Sequence, residues 1–236
     1  MYLNLPWELR HRINAFCVQG YYDNEVIVRR GSNRQPTLLV REPVDTHSYR
    51  WVEDPIFLQF SPERIGLVAS REMLETYYRT RTFKFVHEEL GCVAPFIEKR
   101  NSDPSSCPTL YLRRLHLQIQ PLKYAQIREP EAMRSEQDIY CQALGSLVAL
   151  RNPRIVIDLH VNLAEGDVDE EELEELLSSA AMLLFRIIGL VEVLKTRGLN
   201  VRLTLQGRWD EKNGVELCNT TTTSFDDCLT KLKCSF

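Results

Sequence analysis

No two of the seven cysteines form a C-x-x-C pair. Cys17, Cys92, Cys107, Cys141, Cys218, Cys228 and Cys234 are odd in number and widely spread. That spacing excludes a zinc-ribbon ligand set and argues against a paired disulfide scaffold. Reduced thiols in the cytosol or nucleus are the expectation. The N-terminus lacks a basic stretch followed by an apolar run, so no secretory signal is read, and the sequon Asn219-Thr220-Thr221 is taken as chance. A long apolar run is missing as well. The best stretch, "AAMLLFRIIGLVEVL", carries Arg186 and Glu192 and is too short and too charged for a membrane span. Positive charge is not in excess, since 29 Lys and Arg stand against 33 Asp and Glu, a net charge of −4. Nucleic-acid affinity comes largely from phosphate neutralisation, so no such partner is expected. There is no glycine-rich phosphate loop, nucleophile elbow or H-E-x-x-H, and no cofactor or metal is implied.

What is present suits a globular chain. Its 236 residues are 44% hydrophobic and 26% charged, enough to bury a sizeable core. Asn4 can cap a short helix that Leu5 and Pro6 enter and Gly20 stops. On it Leu5, Leu9, Ile13 and Phe16 share one face, while Glu8, Arg10, Arg12 and Asn14 form the polar one. Extended runs "EVIVRR" and "TLLVREP" follow, separated by the turn-prone "GSNRQP". Residues 45–60 read as loop with a short strand at the end.

From Ser61 the pattern is regular. "PERIGLVASREMLETYYR" is one helix with Ile65, Val68, Met73, Leu74 and Tyr77 near one side. Then come the strand "RTFKFVH", a second helix interrupted by Pro95, and a surface loop over 101–108. "LRRLHLQIQ", "RIVIDLHVNL" and "NVRLTLQG" are strands, with helices over 131–150 and along "GDVDEEELEELLSSAAMLLFRIIGLVEVLKTRG" between them. The acidic first turns and basic last turn of the long helix suit its dipole, and Gly198 stands at its stop. The aromatics of "YYRTRTFKF" read as core.

Helix and strand alternate from Ser61 to Gly207, and crossovers of this length favour parallel strands. The strands alternate strictly, so only one sheet face is expected under helices. The expected fold is α/β: an irregular, leucine-rich-repeat-like arc of mainly parallel strands with helices on one face (61–236), preceded by a small helical and extended module (1–60) and packed with it as one unit. No fixed repeat period survives inspection.

"LPWELRHRINAFCV" resembles the start of an F-box, with Leu5, Pro6, Glu8, Leu9, Ile13 and Phe16 at the matching positions. The first half is similar to a broad group of fungal F-box-like proteins, through "TLLVREP", "SREMLETYYRTRTFKF" and "LRRLHLQI". Arg71, Leu74, Tyr77, Tyr78, Thr82, Phe83 and Phe85 carry that match. The resemblance implies a non-enzymatic interaction protein that binds an Skp1-type adaptor through Leu5, Pro6, Leu9 and Ile13 and links a client to a ubiquitin ligase. A full F-box continues with two more helices, whereas this chain turns β-like soon after Gly20. The alternative for the same face is therefore packing onto its own domain.

The outward strand face is the second candidate site. His116, Gln118, Asp158, His160, Asn162 and Arg202 share it if the strands run parallel and in register. Asp158 and His160 point the same way, so the face serves either an unknown protein client or, alternatively, a ligand or small-enzyme site. No Ser, Cys or further carboxylate in these strands completes a catalytic set.

Overall fold

The computed structural model describes residues 2–19, 24–33, 35–45, 48–98, 108–120, 130–162, 170–206 and 215–216. Their strands form one mixed sheet. The strands are β1 (Glu25–Arg30), β2 (Pro36–Pro43), β3 (Tyr49–Glu53), β4 (Thr82–Phe85), β5 (Arg114–Ile119), β6 (Val156–Asn162), β7 (Asn200–Gln206) and β8 (Val215–Glu216). Their spatial order is β3-β2-β1-β4-β5-β6-β7-β8. The five strands from β1 to β7 in that order run parallel, while β2, β3 and β8 are antiparallel to their neighbours. The N-terminal strands therefore extend the same sheet through the β1–β4 pairing.

The helices are α1 (Trp7–Gln19), α2 (Ile56–Gln59), α3 (Pro62–Ile65), α4 (Leu67–Thr80), α5 (Val93–Glu98), α6 (Pro108–Tyr111), α7 (Pro130–Ser146) and α8 (Glu170–Thr196). Alternation along the strands decides which sheet face they cover. Val26 and Val28, Leu38 and Val40, Phe83 and Phe85, Leu115, Leu117 and Ile119, and Ile157, Leu159 and Val161 are all buried. They join one core with Tyr77 and Tyr78 of α4, Phe96 of α5, Leu144 of α7 and Leu184, Ile187 and Val191 of α8. Intervening residues such as Lys84, His116, Gln118, Asp158 and His160 stay half-exposed. The centre of the core is aromatic. Phe83 meets Phe96 at 5.2 Å and Tyr77 at 5.7 Å between ring centroids, and each such pair adds about 0.5–1.5 kcal/mol beyond area burial. The "YYRTRTFKF" aromatics are thus core.

Three local expectations need correction. The single helix expected from Pro62 is two, because Gly66 adopts φ 82° and ψ 154° and breaks it. Ile65 and Val68, expected on its inner side, are consequently exposed, whereas Met73, Leu74 and Tyr77 are buried. Residues 45–60 hold β3 in their middle and α2 near their end, because β3 completes a hairpin with β2. Pro95 does not interrupt a helix. It falls in the first turn of α5, where no backbone N–H is needed, after a separate 3-10 turn over His87–Cys92. Residues 101–107, Asn219 and the rest of the Thr-rich tail lie outside the described residues.

Candidate functional site

The first candidate is α1, whose apolar face was open to two readings, an adaptor contact or packing onto its own domain. Its apolar stripe does not face the protein. Leu9 is 46% exposed, Ile13 39% and Phe16 81%, and Pro6 is exposed while Leu5 is half-buried. Among the described side chains of this helix, only Val18 and Asn14 are buried, both at 2% exposure.

Polar groups anchor the helix instead. Arg10 grips Glu72 of α4 with two bonds, Nε to Oε2 at 3.1 Å and Nη2 to Oε1 at 2.9 Å. The Tyr2 hydroxyl lies 2.8 Å from Glu72 Oε2 and 2.6 Å from Asn14 Oδ1. Burial and its bonding to Glu72 push the Tyr2 phenol up to about 12. At the other end, buried Arg81 donates from Nη2 to the carbonyl of Val18, satisfying an orphan carbonyl in the last turn. Arg10, Asn14 and Val18 recur every four residues, so this inward stripe was readable as a second helical face. What sequence reasoning missed is that it wins over the apolar one. The reason lies in α4, which offers a half-buried carboxylate at Glu72 that needs a cation. The shallow cleft between the helices has room for about one water.

The second candidate is the sheet face opposite the core. The strand register, parallel from β1 to β7 and antiparallel at β2 and β3, aligns Glu53, Leu39, Ile27, Lys84, His116, Asp158 and Arg202 in one row across seven strands. Gln118 and His160 occupy the adjacent row. The structure thus brings together His116, Gln118, Asp158, His160 and Arg202 as expected; Asn162 closes β6, and its side chain lies outside the described residues. The two imidazoles lie 4.2 Å apart between centroids, tilted by 45°. Asp158, however, is engaged by Arg202, with Oδ1 2.8 Å from Nε and Oδ2 3.4 Å from Nη2. It makes no bond to either imidazole, so no acid–base dyad is assembled here.

Electrostatics keeps both rings neutral. Burial, then His160 and Lys84, lower His116 to about 4. Burial also lowers His160, with Asp158 opposing and Lys84 and Arg202 adding to the effect. The Nε2 atom of His116 is buried with no hydrogen-bond partner. Lys84, which the sequence reading left out, pairs with Glu25 at 3.5 Å and supplies this positive field. Among the described residues no group of three metal-ligating side chains is close enough to hold an ion, and no helix is long and apolar enough to cross a membrane.

No protein-family model, curated protein or solved structure matches this chain.

Proposed function

We propose that the chain is an F-box-like protein-interaction module, with α1 as a docking helix for an Skp1-type adaptor of a ubiquitin ligase. One observation carries this reading: α1 is held by its polar face and leaves Leu9, Ile13 and Phe16 in water. Exposed large apolar side chains on one helix face are what a helix-in-groove contact uses, at i, i+4 and i+7 spacing. Leu5 and Pro6 lead into the same face, and Phe16, the most exposed of the set, is added to the expected contacts. The one-sided sheet, read as an irregular leucine-rich-repeat-like arc, would then present its polar face to a client. Residence in the cytoplasm or nucleus belongs to the same reading.

The test is a pull-down with purified Skp1-type adaptor, comparing the wild type with Leu9→Ser/Phe16→Ser, alongside circular dichroism on both. Loss of the adaptor with an unchanged spectrum supports docking. If the wild type captures no adaptor, the proposal fails.

A further inference from the structure

Among the described strands, β3 stands at the end of the sheet and pairs with β2 on one side only. Its bonds to β2 fix which backbone groups point the other way. The Asp54 N–H donates to the Leu38 carbonyl at 2.8 Å, and the Val44 N–H donates to the Ser48 carbonyl at 3.0 Å. Bonded and unbonded pairs alternate along an antiparallel ladder. Arg50 and Val52 therefore turn their N–H and C=O groups to β2, while Tyr49, Trp51 and Glu53 turn theirs away from the sheet. Tyr49 is 52% exposed, and Arg50 and Glu53 are exposed as well, so the edge is open at both ends.

Edge strands are commonly blunted by Lys or Pro, which discourage pairing with another chain. The β3 strand, "YRWVE", has neither, and its one Arg and one Glu cancel in charge. Tyr, Trp and Val all suit a strand. Its side chains are also held in place. The Arg41 guanidinium of β2 lies 4.6 Å from the Tyr49 ring centroid and 5.1 Å from that of Trp51. Tyr49 and Trp51 meet edge-to-face at 5.7 Å, and Arg50 Nε reaches Glu42 Oε2 at 2.5 Å. Groups ordered before association lose less entropy in it. Glu53 pairs with no cation among the described residues.

We propose that β3 pairs antiparallel with β3 of a second copy of this chain, about a two-fold axis at Trp51. The strand is self-complementary in that register. Trp51 faces its own counterpart and the two exchange both backbone bonds. Tyr49 faces Glu53 of the second copy, and each such pair exchanges two more. Every outward N–H and C=O of β3 is then bonded. Centring the pairing on Tyr49 or Glu53 instead would leave outward groups without a partner. The side chains agree with the backbone. Tyr49, Trp51 and Glu53 alternate with the core-facing residues and share the face opposite the core. Glu53 of the second copy arrives beside Tyr49, where the Arg41 guanidinium lies over the ring, so a carboxylate meets a cation at each end of the pairing. This charge match, repeated by the two-fold, is what selects a second copy over an unrelated strand. Isologous pairing uses up both edges and closes at a dimer. The edge shares no residue with the exposed face of α1, so this inference and the adaptor reading can fail separately.

The test is sedimentation equilibrium on the full chain at about 1 to 100 μM, the range of a modest interface. The mass should rise with concentration to twice that of one chain and no further. Trp51→Lys sets two like charges opposite each other at the axis and should weaken the dimer about tenfold or more, with an unchanged circular-dichroism spectrum. A second measurement reads the register. Under mild oxidation Trp51→Cys should give a disulfide-linked dimer above the wild-type background, because position 51 faces itself at about 5.5 Å between Cα atoms. Tyr49→Cys, which faces position 53, should not. If Trp51→Lys does not fold, this linking pattern carries the test. A single-chain mass throughout, growth past the dimer, undiminished association of Trp51→Lys, or equal linking at positions 49 and 51 would overturn the proposal. So would a dimer kept by Trp51→Lys and lost in Leu9→Ser/Phe16→Ser, which would place the second copy on α1.

Discussion

Replacing Phe16 with serine should barely change stability, although Phe16 sits in a regular apolar stripe of the kind that often packs as core. The side chain is 81% exposed, so about one fifth of its surface is buried. Full burial of such a group is worth about 1.5–3 kcal/mol, which scales to about 0.5 kcal/mol here. Arg10→Met is the opposite case. It removes both bonds to Glu72, whose side chain is 20% exposed, and leaves a mostly buried carboxylate without its cation. Losing charge-assisted bonds of this kind costs about 1.5–3 kcal/mol. Urea denaturation at neutral pH measures both, and the slope of each transition checks that the same surface is exposed on unfolding. If Phe16→Ser costs more than Arg10→Met, the orientation of α1 is wrong and its apolar stripe is packed against the protein.

Three further outcomes follow from the same geometry. His116 is held neutral in the fold at about 4, below the 6.5 of an unperturbed imidazole. Its contribution is therefore complete above pH 6.5 and is lost as pH falls through 6.5 towards 4, about 2 kcal/mol after allowance for its partial exposure. Denaturation midpoints across that window should show the slope, and His116→Gln should flatten it. Tyr77 donates its hydroxyl to Asp54 Oδ2 at 2.7 Å, opposing the burial that raises the Asp54 carboxyl. Tyr77→Phe should cost about 1–3 kcal/mol, read by thermal denaturation at neutral pH. Gly198 ends α8 with φ 84° and nothing within 4 Å of an added Cβ, so Gly198→Ala should cost about 1–2 kcal/mol from backbone strain alone. A larger loss would mean hidden crowding.

Much of this architecture was legible because period is a local property. Leu115, Leu117 and Ile119 alternate with His116 and Gln118, and that alone puts one set in the core and the other on the opposite face. Gly198 as a helix stop, the parallel strands and the shared face of His116, Asp158 and His160 follow from the same local rules. The break at Gly66 was harder to read, because a glycine inside a helical pattern is usually tolerated.

Local rules, however, do not decide between two faces of one helix. In α1 the stripe Leu9, Ile13, Phe16 and the stripe Arg10, Asn14, Val18 are both regular. Which turns inward depends on Glu72, sixty-two residues from Arg10, and on Arg81, sixty-three from Val18. The sequence by itself determined the elements, their order and the residues sharing each strand face, because those depend on neighbours a few positions apart. Tertiary structure alone decided which helix face meets water and which charges meet each other, because both are settled by partners that only folding brings within bonding distance.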